Sequence, residues 1–115
     1  MTKIAYLGEA ELGEKHVCVR VTSDGQCELM FECGDHRCIF PCSLSSLINV
    51  GLGARSHLAS DYGGCALVRT AGGVKIELTP WGQETEYYFV PSTVFANAMA
   101  ELATVGSMRD KVTLR

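Results

Sequence analysis

Two stretches of the chain follow the same order of patterns, and this repetition limits the folds that the chain can adopt. Each stretch reads as a strand, a Gly-containing turn, a second strand, a short apolar strand that ends in proline, and a helix that begins near a serine. The matching pairs are Val19-Arg20 with Val68-Arg69, Glu28-Leu29 with Glu77-Leu78, and Cys38–Pro41 with Tyr88–Pro91. We interpret the matches as an internal duplication of a strand–strand–strand–helix unit.

Alternation of apolar and polar residues predicts the strands and their faces. His16–Thr22 and Gln26–Cys33 both alternate, as expected for the two strands of an antiparallel hairpin. Their shared apolar face would carry Val17, Val19, Val21, Cys27, Leu29, Phe31 and Cys33. The side chains predicted on the outward faces are Cys18, Arg20, Thr22, Glu28, Met30 and Glu32 in the first hairpin, and Leu67, Arg69, Lys75, Glu77 and Thr79 in the second.

Helical spacing of apolar residues predicts two helices, Ser43–Leu52 with Ser43 as its N-cap and Ser92–Val105. One side of the second helix would carry Val94, Ala98 and Leu102, with Phe95 and Met99 beside them. Further short strands are expected at Lys3–Leu7 and around His57–Ala59.

The fold class that follows is α+β: two tandem repeats of antiparallel strands followed by a helix, related by a pseudo-twofold axis within a single domain. Repeat one covers about residues 12–53 and repeat two about residues 64–105. A linker at about 54–63 joins them, and the polar residues 106–115 would form a C-terminal tail or a short edge strand. A length of 115 residues suits one domain.

The charge balance argues against a general polyanion binder. Ten Lys and Arg face thirteen Asp and Glu, a formal net charge of −3, whereas binding to nucleic-acid backbones depends on clustered positive charge. The N-terminal residues show no secretory pattern, and no apolar run is long enough for a membrane span. We therefore expect a cytoplasmic protein with reduced cysteines.

The six cysteines raise the question of a metal site, and the sequence argues against one. Cys33, His36, Cys38 and Cys42 could converge, but their spacing differs from the paired C-x₂₋₄-C motifs of structural zinc sites. In the duplication, three cysteines align with ordinary apolar or aromatic residues, Cys18 with Leu67, Cys27 with Ile76 and Cys38 with Tyr88, whereas Cys42 aligns with Ser92. We expect the cysteines to fill the sheets as small apolar side chains, with no metal and no cofactor. No motif typical of catalysis is present, which favours a non-enzymatic protein.

The outward strand positions supply the candidate binding residues. Arg20 is expected opposite Glu28, and Arg69 similarly opposite Glu77, in cross-strand ion pairs that stabilise the sheets. In the second hairpin "AGGVK" allows more than one loop, so a register shifted by two residues stays open. Tyr87 must face opposite to Tyr88, so at least one of the two tyrosines should be exposed.

This order of elements, with "HVCVRV", "CELMFE" and "RCIFPCSLSSL" in the first unit, resembles the transcriptional positive cofactor four family. Two units in one chain resemble the Whirly group. The resemblance covers residues 12–104 and implies a single-stranded nucleic-acid binder, in which basic and aromatic side chains of the sheets contact the strand. Carried over by position, the candidates are Arg20, Arg69, Lys75 and Tyr87, whereas Glu28, Glu32 and Glu77 depart from the basic groove of those families.

Three hypotheses of function result. The first is a small non-enzymatic binding module that acts through protein–protein contacts, with other proteins or further copies of the chain as partners. The second is a Whirly-like binder of single-stranded nucleic acid, which the acidic balance disfavours. The third is a zinc- or thiol-dependent protein.

Overall fold

The strands pair strictly in the order in which they occur along the chain. The computed structural model describes residues 2–9, 16–22, 24, 26–33 and 36–113. Its elements are β1 (Thr2–Glu9), β2 (His16–Thr22), β3 (Cys27–Cys33), β4 (His36–Cys42), α1 (Leu44–Gly51), β5 (Ser56–Ser60), β6 (Gly63–Thr70), β7 (Gly73–Pro80), β8 (Glu86–Pro91) and α2 (Ser92–Thr113). Sheet A has the order β1-β2-β3-β4 and sheet B the order β5-β6-β7-β8, and every neighbouring pair is antiparallel.

The inner faces of both sheets and one side of each helix share a single core. In sheet A, the predicted apolar faces of β2 and β3 are buried, with the side chain of Cys33 outside the described part of the structure. Phe31 of β3 contacts Tyr88 of β8 with ring centroids 5.1 Å apart, so the two sheets meet directly. Phe31 also packs edge-on against Phe40 of β4 at 5.8 Å. Aromatic contacts of this kind contribute beyond the area that they bury.

The first helix begins as the sequence predicts. The hydroxyl oxygen of Ser43 accepts a hydrogen bond from the backbone N–H of Ser46 at 3.1 Å, which satisfies one of the free donors of the first turn. Leu47 and Val50 of α1 are buried in the core.

The second helix differs from its prediction at two places. Its buried residues are Phe95, Ala98, Met99 and Leu102, whose spacing places them on one face of the helix. Val94 is exposed because it lies at the edge of that face, one residue before Phe95. α2 also continues to Thr113 and does not end at Val105, so most of the expected tail is helical. Residues 106–113 contain no proline and include Met, Arg and Lys, which favour helix.

The hairpin of β6 and β7 has a different register from the predicted one. Thr70 lies opposite Gly73 across a tight turn at Ala71 and Gly72. Arg69 therefore lies opposite Val74, and the predicted pair of Arg69 with Glu77 is wrong. The shift has a steric reason at Gly73, where an added Cβ would lie 2.1 Å from the carbonyl oxygen of Val90. Gly73 therefore belongs to the strand that β8 approaches and not to the turn.

The same register reverses the predicted orientation of β6. Leu67 is buried on the inner face of sheet B, and Arg69 lies on that inner face too, at the end of the strand. The alignment of Val19-Arg20 with Val68-Arg69 thus joins residues of opposite orientation, because Val19 is buried and Val68 lies on the outer face. By contrast, Glu28-Leu29 and Glu77-Leu78 share their orientation.

The predicted fold class is confirmed as one α+β domain of antiparallel strands followed by helices. Each half of the chain has four strands and then a helix, so β1 and β5 extend the expected three-strand unit. The internal duplication itself stays a prediction. Neither helix, over the residues that the structure describes, has the length and apolar character needed to cross a membrane.

Candidate functional site

Exposed aromatic side chains concentrate on sheet B. Among the side chains that the structure describes, the exposed aromatic ones are Tyr62, Trp81, Tyr87 and Phe89, and all belong to this sheet or its turns. Tyr87 and Phe89 alternate with the buried Tyr88 and Val90 along β8, so they project together from the outer face. They are 57% and 53% exposed. This exposure is high for large apolar rings that lie side by side on a sheet.

The register of sheet B sets the neighbours of these rings. Phe89 lies in one row with Lys75 and Val68, and Tyr87 lies in the next row with Glu77 and Ala66. We call the surface formed by Val68, Lys75, Glu77, Tyr87 and Phe89 the aromatic face. The face combines two large rings, one apolar β-branched residue and one charge of each sign.

Lys75 contacts two other residues of the aromatic face, Tyr87 and Glu77. Its Nζ lies 4.9 Å from the ring centroid of Tyr87, a cation–π distance. The same Nζ lies 3.4 Å from Oε1 of Glu77 on its own strand. The charge of Lys75 is therefore already balanced locally, and such an exposed pair contributes little to stability.

Phe89 extends toward the turn between β6 and β7. A Cβ added at Gly72 would lie 3.4 Å from Cζ of Phe89, so the ring reaches across the glycine backbone. At the other end of the sheet, the backbone N–H of Trp81 donates to the carbonyl oxygen of Tyr62 at 3.1 Å and joins two turns. Trp81 is 70% exposed there.

The candidates Lys75 and Tyr87 are thus brought together, and Phe89 is a neighbour that the sequence prediction did not single out. The signal for Phe89 was present in the sequence: alternation places Tyr87 and Phe89 on one side of β8. The prediction that at least one tyrosine is exposed is confirmed, since Tyr87 is exposed and Tyr88 is buried.

Arg20 does not belong to this surface. It lies on the outer face of sheet A, opposite Glu28 as predicted, and its Nε donates to Oε1 of Glu28 at 2.9 Å. Its Nη2 donates to the same oxygen. This arginine stabilises the sheet, and its charge is compensated by its partner.

Arg69 lies at a third location, on the wall of a cavity of about 230 Å³ between β6 and the two helices. Arg20 therefore lies on the outer face of sheet A, and Arg69 lies on the inner face of sheet B. The structure does not bring the two arginines into one basic groove.

The cysteines of the described residues serve mainly as core side chains, as predicted. Cys27 and Cys65 belong to the buried core, whereas Cys18 is buried together with Met30 on the outer face of sheet A, although both were predicted to point outward. Cys27 and Cys42 lie opposite each other in β3 and β4 with their Sγ atoms 3.4 Å apart. The hydrogen bond with Cys42 lowers the pKa of the Cys27 thiol, and the same hydrogen bond together with burial raises the pKa of Cys42. Burial alone raises the pKa of Cys65 to about 12.

The raised pKa of Cys65 predicts a loss of stability in alkali. Its thiol ionises near 9 in the unfolded chain but near 12 in the folded one. The contribution to stability is complete below pH 9, and it declines as the pH rises from about 9 to about 12 because only the unfolded state releases the proton. We expect the slope to approach about 1.4 kcal/mol per pH unit for this group.

The measurement is urea unfolding at pH 8, 9 and 10, about one unit on either side of the unfolded-state pKa of 9, for the wild type and for Cys65→Val, in which the titrating thiol is absent. The variant should show the smaller decline of unfolding free energy between pH 9 and 10. Equal declines would show that Cys65 titrates normally in the folded protein.

No three His, Cys, Asp or Glu side chains within the described part of the chain are grouped so that they could hold a metal ion. The side chains of Cys33 and His36, two members of the zinc set considered above, lie outside that part. The zinc- or thiol-dependent hypothesis therefore stays a prediction, and metal analysis of protein purified without chelator would test it.

Comparison with known proteins finds no matching family model, no matching curated protein and no matching solved structure. The resemblance to the Whirly group accordingly stays a prediction.

Proposed function

We propose that the protein is a non-enzymatic binding module that acts through protein–protein contacts, and that its aromatic face binds a second copy of the chain. The observation that carries this proposal is the joint exposure of Tyr87 and Phe89 on the outer face of β8. Aromatic residues are enriched in the cores of protein interfaces, where a few of them supply most of the binding free energy.

The charges of the face support a second copy as the partner. In a dimer with twofold symmetry, the same surface of each copy contacts its counterpart on the other copy, so each pair of contacting residues occurs twice. Lys75 and Glu77 are neighbours on this face, so the Lys75 of one copy can be placed against the Glu77 of the other. A face with one charge of each sign is thus complementary to itself.

Sedimentation velocity over a concentration series tests the proposal. The wild type should associate reversibly, and Tyr87→Ala/Phe89→Ala should weaken the association at least tenfold, since loss of one central aromatic typically costs about 2 kcal/mol or more. The matched control is Tyr62→Ala/Trp81→Ala, which removes two exposed aromatic side chains outside the face and should leave association unchanged. A wild type that stays monomeric at the highest concentration, or equal effects of both double variants, would contradict the proposal.

Charge exchange tests the twofold arrangement separately. Lys75→Glu and Glu77→Lys should each weaken association, because each opposes like charges in the dimer. The combined variant Lys75→Glu/Glu77→Lys should restore it. Failure of the combined variant to recover would show that these residues do not meet across a twofold axis.

A binder of single-stranded nucleic acid is the second candidate, and the ammonium of Lys75 over the ring of Tyr87 beside Phe89 favours it. Bases stack on such exposed rings without sequence preference. Against it, Lys75 is paired with Glu77, and neither Arg20 nor Arg69 lies on the face. Fluorescence anisotropy with a labelled single-stranded oligonucleotide at low and physiological salt distinguishes the candidates. Saturable, salt-sensitive binding that Tyr87→Ala/Phe89→Ala abolishes would favour nucleic acid.

A further inference from the structure

A second surface, on the opposite side of sheet B from the aromatic face, carries an inference that does not depend on the proposed function. The cavity between β6, α1 and α2 has a volume of about 230 Å³. Its lining residues are Ile48, Gly51, Leu52, Arg69, Ser92, Phe95, Ala96 and Met99. The walls are mainly aliphatic and aromatic, Arg69 is the charged residue of the lining, and no carboxylate is part of it.

Within the part of the chain that the structure describes, the charge of Arg69 has no partner. Its side chain makes no hydrogen bond or ion pair with any residue in the described part of the chain, in contrast to Arg20 with its bond to Glu28. Arg69 as a whole is only partly exposed, so water compensates its charge less fully than that of a fully exposed arginine. An unpaired guanidinium beside apolar walls attracts a carboxylate more strongly than a solvated lysine would, because it can donate two parallel hydrogen bonds.

The cavity is shaped by the helix contact. Gly51 at the end of α1 lies so close to α2 that an added Cβ would be 3.1 Å from Cε1 of Phe95. Phe95 and Met99 are buried and form the floor, whereas Leu52 and Ala96 are exposed and form the rim. The floor is therefore fixed by core packing, whereas the residues of the rim are in contact with solvent.

We infer that this cavity binds a small monocarboxylate with a short apolar chain, whose carboxylate pairs with Arg69 and whose chain lies against Phe95 and Met99. The positive charge of Arg69 favours a carboxylate head group, and the apolar walls of the cavity favour an alkyl chain. The volume suits a ligand of this size and is below the usual range of about 300–1,000 Å³ for sites of drug-sized molecules.

The test is a titration of ¹⁵N-labelled full-length protein with octanoate, kept below its micelle concentration, and followed by amide chemical shifts. Saturable shifts should be centred on residues 48–52 and 92–99. Octan-1-ol, which has the chain without the charge, should bind at least about tenfold more weakly, because it lacks the charged hydrogen bonds to Arg69. Acetate, which has the charge without the chain, should be weaker still.

Two variants locate the site, and each has its control. Arg69→Gln should weaken octanoate at least about tenfold while leaving octan-1-ol unchanged, and Arg69→Lys should recover part of the loss. Ala96→Phe should abolish binding of both ligands by filling the cavity from its exposed rim. Ala100→Phe, also at an exposed position of α2 but outside the lining, should have no effect.

The inference is overturned if octanoate gives no saturable shifts at millimolar concentration, or if octan-1-ol binds as tightly as octanoate. It is also overturned if Ala96→Phe and Ala100→Phe act alike, since binding would then lie elsewhere on the protein.

Discussion

Replacing Gly73 with alanine is expected to destabilise the protein by about 3 kcal/mol. The new Cβ would lie 2.1 Å from the carbonyl oxygen of Val90 and 3.0 Å from both Cα of Pro91 and the backbone N of Ser92. All of these are backbone atoms, so no side-chain rotation can relieve the contact. The alanine would push the end of β8 and the start of α2 away from β7.

Urea unfolding of Gly73→Ala measures this cost, and Gly64→Ala is its control. Gly64 lies in the neighbouring strand, and a Cβ added there meets no atom within 4 Å. We expect Gly64→Ala to change the unfolding free energy by about 0.5 kcal/mol or less. If the two variants lost the same stability, the close approach of β8 to Gly73 would be wrong.

Replacing Phe31 with alanine should cost about 3–5 kcal/mol, the usual range for removal of a buried phenylalanine. Phe31 is 2% exposed and contacts both Phe40 within sheet A and Tyr88 of sheet B. Its loss would leave a cavity where the two sheets meet. Thermal or urea unfolding provides the measurement.

Phe89→Ala is the matched control, because it makes the same chemical change at an exposed ring on β8. We expect it to cost about 1 kcal/mol or less, since half of this ring is already in water. A Phe31→Ala variant as stable as Phe89→Ala would mean that the two sheets do not pack through Phe31.

The first half of the fold could be predicted in detail because its strands alternate cleanly. Val17, Val19 and Val21 define one face of β2, and the pairing of Arg20 with Glu28 follows once β3 is placed opposite it. A shift by one residue would have exposed every one of these valines, so the register had a single good solution.

The second half could not be predicted as well, because the orientation of β6 depends on a contact that is distant in sequence. The run Cys65–Arg69 is nearly all apolar, and "AGG" is compatible with several turns. The close approach of the Val90 backbone to Gly73 favours the turn in which Gly73 belongs to the strand. As a result the predicted outward position of Arg69 was wrong, and the cavity that it lines had no signal in the sequence.

The candidate site was predictable only in part for a related reason. Alternation along β7 and β8 alone predicts that Lys75 and Tyr87 point outward, whatever the conformation of the loop that joins these strands. In the structure the two side chains are in contact. Whether Arg20 and Arg69 share a surface depends on how two separate sheets are oriented, and this packing has no local signature.

The sequential strand order has a consequence for how fast the protein can fold. Each hydrogen-bonded strand pair in the described structure joins neighbours along the chain, so each sheet can form by closing short loops. Folding rates fall as contacts become more distant in sequence, and meanders of this kind keep most pairings local. Contacts that span the chain include that of Phe31 with Tyr88 and the hydrogen bond that Lys3 Nζ donates to Thr104 Oγ1 at 3.3 Å, and β1 also packs against α2. We therefore expect the two sheets to form early, and their closure onto one another with α2 to limit the folding rate.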